Sequence, residues 1–589
     1  MSASPAPGPV RTRRVVGAGV ELAVHERGEA GLPTVLLVHG YPDDHAVWDE
    51  VAALLERDFH IVAYDVRGAG ASTKPRGRAF YTFDLLMRDM TAVLDAVSPD
   101  EKVHLVGHDW GSIQAWEAVT TMPERFASFT SMSGPCLDHV AHWVRSSLTS
   151  ADPAAHLRAL GQAARSWYIA VFQTPVLPEL SWSGRSGEMI GKVLRRLEGA
   201  SPDLEAGRYG VDLYRANMLP RLTRPNERRT DVPTQVIVPT GDRYVSPHTV
   251  GGLQKWVPDL KLRPVAARHW IPRTHPALVA RFVREHIAEV TGGELGAGER
   301  RELRRARVGA GRRAFEGDLV VVTGAGSGIG RATALAFTER GATVIAADRD
   351  LETARRTAEL AGLVGAEKEG PVAHAVAVDV SDAAAMEEFA ATVRREHGVP
   401  DVVVNNAGIG MAGAFLDHTA EDWRRILDVN LWGVVHGSLL FGRQMAERGT
   451  GGHIVNTASA AAFTPSRSMS AYATSKAAVL MLSECMRADL AHLGIGVSAI
   501  CPGIVDTNIT RTSHFVGRSR SEELKTQLKA ARAYGLRGYG PEKVAERILT
   551  AVRRDRALQP VTPEAHLSYA LSRLSPGLMR LAARIDPTG

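Results

Sequence analysis

Two strand–turn–helix junctions, far apart and different in kind, restrict the fold more than any other feature of the chain. The first is VGHDWGS, Val106–Ser112. An apolar run enters it, and glycines stand two residues before and two after Asp109. A strand that turns this sharply into a helix needs residues without bulk at those two places. The second junction is TGAGSGIG, Thr323–Gly330, between LVVV and a helical pattern. Glycines there let backbone approach a pyrophosphate and let the helix close on the sheet, while the helix N-terminus offers free N–H groups. Each junction belongs at the carboxyl edge of a parallel sheet, so the chain reads as two different α/β units.

Bulk properties agree with two large domains. The chain has 589 residues, 44% of them hydrophobic and 23% charged, enough apolar material for two cores. The net charge of +5 is mild for this length and does not point to nucleic acid. The three cysteines, Cys136, Cys485 and Cys501, are widely separated. Neither a disulfide framework nor a metal site is expected, and a reducing, cytoplasmic setting fits. The start, MSASPAPGPVRTRR, lacks an apolar core, so no signal peptide is expected. No apolar run reaches the roughly 18 residues of a membrane-spanning helix.

In the first half, the runs Thr34–Gly40, His60–Gly68, Val103–Asp109 and Thr234–Asp242 predict buried strands separated by helices. Between about 138 and 224 strand signals give way to Trp, Tyr, Leu and Ala at helical spacing, which predicts a helical cap. The first domain is set at 10–290. Residues 291–314 are rich in Gly and Arg, with seven arginines from Arg300 to Arg313. They read as a solvated linker, favoured over a site for an acidic partner or lipid. The second domain is set at 315–589, with further strands at Val376–Val380, Pro400–Gly408, Gly452–Ser459 and Gly496–Gly503. Its tail, Glu564–Ile585, is basic and amphipathic, interrupted at Pro576. Packing on its own domain or a dimer partner is favoured over a peripheral membrane contact.

An aspartate at the elbow acts as a nucleophile only with partners. It needs oxyanion donors, a base for water and an acid to orient that base. HGYP (His39–Pro42) follows a strand, so the Tyr41 and Trp110 backbone N–H groups are the oxyanion candidates. GDRY carries Asp242 and ARHW carries His269. The order Asp109, Asp242, His269 is nucleophile, acid, base. His275 is the alternative base, and Trp270 beside His269 favours the latter. His39 and His108 are expected to orient loops.

HGYP, DVRGAGAS (Asp65–Ser72), GHDWGS and the His-Trp pair at His269 resemble the epoxide hydrolase branch of the α/β-hydrolase fold, over roughly residues 10–290. That resemblance implies two cap tyrosines that protonate the epoxide oxygen. WYIAVFQTP offers Tyr168 and DLYRANM offers Tyr214. The same elbow resembles haloalkane dehalogenases, which use a Trp beside the nucleophile with Asn or a second Trp. Trp110 fits both, while Tyr41 disfavours the Asn kind.

In the second half, Asp348 ends the second strand about 20 residues after the glycine turn. A carboxylate there binds ribose hydroxyls and repels a 2′-phosphate, which favours NAD. Arg349 beside it keeps NADP open. YATSK, Tyr472–Lys476, puts both side chains on one helical face, where the Lys charge lowers the Tyr pKa. Ser459 lies thirteen residues before Tyr472, at a strand end. With NNAG (Asn405–Gly408) and Asn430, these residues resemble the short-chain dehydrogenase/reductase family over about 315–560. The resemblance implies Tyr472 as acid/base, Lys476 on the nicotinamide ribose, Ser459 on the substrate oxygen and Asn430 in a proton relay. It also implies cofactor contacts from Thr323, Gly324, Gly328, Ile329, Gly330, Asp348, Arg349, Asp379, Val380, Asn406, Pro502, Gly503 and Thr507. For Asp379, capping its own loop is nearly as good a reading.

The whole chain resembles an actinobacterial and mycobacterial fusion of an epoxide hydrolase-like domain with a short-chain dehydrogenase/reductase. The expected fold is an N-terminal α/β-hydrolase with helical cap and a C-terminal Rossmann-type sheet. The expected function is bifunctional: NAD(P)-dependent alcohol/carbonyl oxidoreduction and epoxide hydrolysis through an Asp109 ester. The rivals are a dehalogenase or a non-catalytic binding module in the first half. A hydrophobic or lipid-like substrate and a homo-oligomer formed through the dehydrogenase domain are expected partners.

Overall fold

The computed structural model describes residues 8–309, 313–365 and 373–583. It divides into two compact units. One comprises the described residues up to Leu295 with 306–309, the other Gly296–Arg305 and the described residues from Arg313 on. The ends of the sequence-defined tail and leader, and positions 310–312 of the linker, lie outside the described residues.

The first unit is built on an eight-stranded sheet. Its strands are β1 (Arg11–Val16), β2 (Glu21–Arg27), β3 (Thr34–Val38), β4 (His60–Tyr64), β5 (Val103–His108), β6 (Phe126–Met132), β7 (Thr234–Pro239) and β8 (Leu260–Val265), in the order β1-β2-β4-β3-β5-β6-β7-β8. The β1–β2 and β2–β4 pairs are antiparallel and the rest parallel. Strands β3, β4, β5 and β7 are buried at every position, because helices cover both faces; hence their unbroken apolar runs.

The remaining strands escape a reading by hydrophobicity for identifiable reasons. β1 is an edge strand exposed at nearly every position. β6 buries polar side chains that pair with neighbours, such as Ser128 Oγ with His104 Nδ1 at 2.8 Å. β8 buries Lys261 and Arg263 against Glu289 and Glu285, at 2.8 and 2.6 Å.

Between β6 and β7 the chain forms helices Leu137–Leu148, Pro153–Arg165, Trp167–Phe172, Leu177–Ser181, Gly184–Glu198, Leu204–Tyr209 and Val211–Thr223. This is the cap. Asn217 anchors it: its side chain accepts from the Phe83 N–H at 3.0 Å and donates to the Tyr81 carbonyl at 2.8 Å.

The second unit holds a seven-stranded, all-parallel sheet. Its strands are β9 (Leu319–Thr323), β10 (Thr343–Asp348), β11 (Ala373–Ala377), β12 (Val402–Asn405), β14 (Gly452–Thr457), β15 (Ile495–Cys501) and β17 (Leu558–Pro560), ordered β11-β10-β9-β12-β14-β15-β17. β13 (Met411–Ala412) and β16 (His514–Phe515) pair separately. The expected strand Val376–Val380 is displaced: β11 ends at Ala377. Val378 and Val380 are buried beyond it, so their alternation comes from core loop residues.

Part of the Arg-rich segment, read from sequence as a solvated linker, is helical. Residues Ala297–Ala306 form a helix. Arg301 of this helix donates to Asp401 Oδ2 at 2.5 Å, and Arg305 donates to Asp401 Oδ1. Arg448 reaches the same carboxylate at 2.8 Å, as does the Leu319 N–H at 2.8 Å. Burial works to raise the Asp401 pKa, but the three guanidiniums hold it well below the usual carboxylate range. The tail forms two helices, Pro563–Leu574 and Pro576–Ala582. The first packs on its own unit through buried Ala565 and a Tyr569–Phe463 ring contact at 5.2 Å. Among the described residues no helix is long and apolar enough to cross a membrane.

Removing one partner from a buried ion cluster leaves the others uncompensated, at a cost of about 3–5 kcal/mol. Asp401→Asn is therefore expected to destabilise the second unit by that order. Denaturant unfolding followed by a probe in that unit checks it.

Candidate active sites

The first site starts from the elbow. Asp109 lies between β5 and the helix Trp110–Thr121 with φ of 50°, a left-handed conformation that costs a non-glycine residue about 1–3 kcal/mol. The glycines make it possible: a Cβ on Gly111 would lie 2.0 Å from the Val38 carbonyl oxygen, and one on Gly107 would lie 2.5 Å from Ser112 Cα. The turn lifts the Asp109 carboxylate above the sheet edge. There Oδ1 accepts from the Tyr41 N–H at 2.7 Å. Trp110, the second expected oxyanion residue, opens the helix, whose first N–H groups have no intrahelical acceptor.

His269 stands on the other side. Its Nε2 is 3.4 Å from Asp109 Oδ2, and its Nδ1 is 2.9 Å from Asp242 Oδ2. Asp242 is fixed in turn, since its Oδ1 accepts from the Tyr244 and Val245 N–H groups at 2.8 and 3.0 Å. All three side chains are buried. Burial alone would lower the His269 pKa, but Asp242 and Asp109 outweigh it and push it up to about 10. With Asp109 ionised, the imidazole is a cation. His275 makes its ring hydrogen bond to Thr274 instead.

The two cap tyrosines converge here. Tyr214 is buried, with its ring 4.9 Å from Trp110 and 5.3 Å from Tyr41. Tyr168 is 5.9 Å from Tyr214, edge to face. Burial, joined by the Asp109 charge, raises both phenols above their ordinary pKa. Both are therefore protonated at neutral pH.

Residues not singled out from sequence also shape this site. Tyr244 packs 4.8 Å from His269 and 5.7 Å from Tyr168; its place two residues after Asp242 was the available signal. The loop of His269 is held by His108 Nε2 and Ser133 Oγ, both donating to the His269 carbonyl, at 2.9 and 3.0 Å. Asp43 accepts from Trp270 Nε1 at 2.8 Å, and burial raises its pKa to about 7. His39 accepts from the Val66 N–H at 2.9 Å, so His39 and His108 both tie loops together.

The second site lies at the carboxyl ends of β9, β10, β12, β14 and β15. Tyr472 and Lys476 share the helix Ser470–Leu490, with Nζ 6.0 Å from the Tyr472 ring centre. Lys476 is buried and donates to the Thr457 carbonyl at 2.8 Å. Burial lowers its pKa to about 8. Ser459 follows the end of β14, and its Oγ accepts from the Ala461 N–H at 3.2 Å.

Asn430 is fully buried in a π-helical stretch, Asp428–Trp432. It accepts from the Ile409 N–H at 2.8 Å and donates to the Ile409 carbonyl at 3.0 Å. A Cβ on Gly408 would lie 3.2 Å from Asn430 Oδ1 and 3.4 Å from Lys476 Nζ, so the two side chains converge on one point.

The glycine turn is shaped to take a dinucleotide. Gly324 and Gly328 have φ of 64° and 52°, and the helix Gly328–Glu339 begins there. Ile329, in its first turn, packs partly buried on the core. Thr323 Oγ1 accepts from the Asn406 and Ala407 N–H groups at 3.1 and 3.2 Å, and Asn406 Nδ2 donates to the Thr323 carbonyl at 3.2 Å. A Cβ on Gly330 would strike the Gly324 carbonyl oxygen at 2.0 Å.

Asp348 ends β10, with Oδ2 accepting from the Gly326 N–H at 2.9 Å and Oδ1 from the Asp350 N–H at 3.1 Å. A Cβ on Gly326 would lie 2.7 Å from Asp348 Oδ2. Only bare backbone fits beside this carboxylate at position 326. Asp379 caps its own loop through Ser381 N and Oγ at 2.9 and 2.6 Å; these bonds, with the Arg349 charge, lower its pKa. Val380 is buried, its carbonyl accepting from His436.

The Pro502 carbonyl takes the Ala460 N–H at 2.8 Å. Thr507 lies over the glycine turn, 3.2 Å from where a Gly328 Cβ would be. Glu564, unforeseen from sequence, holds the Gly503 segment by accepting from the Ile504 N–H at 2.8 Å.

These two constellations define an enzyme of two parts: an α/β-hydrolase with an Asp-His-Asp set, and a short-chain dehydrogenase/reductase with Ser, Tyr and Lys on a nicotinamide-binding fold. Family models agree, with "alpha/beta hydrolase fold" matching residues 33–276 and "short chain dehydrogenase" matching 318–514. The chain is 42% identical over 584 residues to the probable oxidoreductase EphD of Mycobacterium tuberculosis, covering 96% of this chain and 97% of that one. It belongs to that family of fused hydrolase and dehydrogenase chains.

Among solved structures, a short-chain dehydrogenase/reductase from Burkholderia phymatum in complex with NAD is 32% identical, with a TM-score of 0.40, and covers 47% of this chain and 99% of its own. An epoxide hydrolase from Bacillus megaterium is 22% identical, with a TM-score of 0.40, and likewise covers 47% and 99%.

The raised pKa of His269 depends on Asp109. In Asp109→Asn one of its two carboxylates loses its charge, and the imidazolium midpoint is expected to fall by about 1–3 pH units. A pH titration of the His269 ring nitrogens by NMR reads this directly.

Proposed function

We propose that the first site opens epoxides to vicinal diols and that the second interconverts an alcohol and a carbonyl using NAD. The observation that carries the first part is the surrounding of Asp109. Its Oδ1 is held by the Tyr41 amide, and Tyr168 and Tyr214 stand protonated beside it.

Asp109 Oδ2 attacks an epoxide carbon, the C–O bond breaks, and a cap phenol delivers its proton to the departing oxygen. Asp109 is now a neutral ester. His269 has lost one of the two charges that kept it protonated, so its pKa falls and its proton passes to the phenolate, restoring the phenol. The neutral imidazole, oriented by Asp242, then takes a proton from water, which attacks the ester carbonyl. The Tyr41 and Trp110 N–H groups hold the oxyanion. The ester C–O bond then breaks, the imidazolium returns its proton to the departing alkoxide, and the diol leaves; Asp109 keeps the oxygen of water and its remaining proton passes back to His269.

A second reading, dehalogenation, draws support from the buried indole N–H of Trp110, which lacks a full hydrogen bond. Such a donor suits a departing halide. The paired phenols favour the epoxide.

Single turnover of a styrene-type epoxide in ¹⁸O-water separates these readings. Label in the Asp109 peptide with unlabelled diol is expected. Halide release from a chloroalkane, without diol from any epoxide, would establish the second reading. Neither product would leave the first unit a binding module.

When bound against the Gly324–Gly330 turn and Asp348, NAD would supply the hydride acceptor of the second site. Lys476, sharing a helical face with Tyr472, supports the phenolate that takes the hydroxyl proton, and Ser459 binds the substrate oxygen. The preference for NAD over NADP is supported by Asp348, held at the β10 end by two backbone N–H groups, where its charge opposes a 2′-phosphate. Arg349 is partly offset by Asp379. Asp348→Ser is expected to lower kcat/KM for NAD and raise it for NADP, each by at least about tenfold, the effect of roughly 1.4 kcal/mol. Steady-state rates with both cofactors check this.

A further inference from the structure

Besides those it buries, the cap turns a set of large apolar side chains outward, against the habit of a water-facing surface. Between residues 157 and 197, nine of them are 44–70% exposed, against six in all the other described residues of the first unit. The helix Pro153–Arg165 buries Ala155, Ala159 and Gln162 and exposes Leu157 and Leu160. The helix Gly184–Glu198 buries Gly187 and Gly191 and exposes Met189, Val193 and Leu197, spaced four apart along one stripe. Ile190 and Leu194 of the second helix pack partly buried on the core, but the exposed faces of both helices also carry large apolar side chains, where the usual amphipathic pattern puts polar ones. Between these helices, Trp167 begins one short helix and Leu177 and Leu180 belong to another. The four helices touch in succession, so the exposed side chains make up a patch rather than scattered points.

Strain accompanies it. Val176 has φ of 68°, a conformation that β-branched residues rarely adopt. It sits at the start of the helix bearing Leu177 and Leu180, exposed like them.

Charge decides what the patch suits. Residues 157–197 hold six basic side chains and two acidic ones. Of the two, Glu179 is paired with Arg215 at 2.6 Å. Arg185, Lys192, Arg195 and Arg196 are exposed beside the apolar stripe. A second copy would set like charge against like charge. An anionic bilayer surface complements both features, since apolar side chains and Trp enter the headgroup layer and cations meet lipid phosphates.

We propose that the outer face of the cap, residues 157–197, docks on an anionic lipid bilayer. Trp167 immediately precedes Tyr168, so the docking face and the first site share a helix. Docking itself does not depend on the reaction assigned to that site.

The test is flotation of the full chain with vesicles of phosphatidylcholine alone or mixed with phosphatidylglycerol. Binding is expected only to the mixed vesicles and should fall with salt. It should weaken at least tenfold in the double variant Leu177→Glu, Leu180→Glu, and in Arg185→Glu, Lys192→Glu, at unchanged thermal midpoint. A chain lacking residues 564–589 should still bind. The proposal is overturned if no vesicle binds, if the cap variants bind as well as the parent, or if deleting 564–589 abolishes binding. It is also overturned if sedimentation shows a dimer that the cap variants dissociate while vesicles leave the parent unbound.

Discussion

One buried arrangement of charge governs the first half of this protein: an imidazolium between two carboxylates. Asp109 and Asp242 lie on either side of His269, at 3.4 and 2.9 Å. Burial penalises an isolated charge, and the close pairing offsets that penalty. Together they hold a charge distribution that would change if a bond formed to Asp109, as the proposed reaction requires. Much of the surrounding structure keeps this set in place. The glycines admit the elbow, Asp242 is fixed by two backbone N–H groups, and three neighbouring residues tie down the loop of His269 and Trp270.

The second half rests on a different logic. Its site holds a buried cation, Lys476, whose pKa burial lowers. A negative charge, Asp348, stands at the end of β10 beside the bare backbone of the glycine turn. Elsewhere in this unit the charge balance is reversed, with three arginines meeting one aspartate at Asp401. There the cluster has a structural role, holding the Arg-rich helix against the sheet.

The chain's legibility varied with the kind of signal. Strands buried on both faces, such as TVLLV and LVVVT, were plain, because the sheet environment demands continuous apolar side chains. β6 and β8 were not, since their buried polar and charged residues are satisfied by partners far away in sequence. The Arg-rich helix was hidden in the same way: Arg301 looks like a linker residue until Asp401, a hundred residues on, is found beside it. Val378 and Val380 misled in the other direction, because core-facing loop residues carry the same alternation as a strand.

What the sequence determined by itself is the chemistry at the two turns. Glycine spacing around Asp109 and along Thr323–Gly330 is a local steric requirement, and so is the helical spacing of Tyr472 and Lys476. Short-range geometry of this kind is written in consecutive residues. Tertiary structure alone decided which distant groups share an electrostatic environment. It set Tyr244 against His269, Glu564 under the loop of Gly503, and large apolar side chains on the outside of the cap. Those outcomes depend on how helices and loops pack, and the energy of a buried charge or an exposed leucine is defined only after packing has fixed its surroundings.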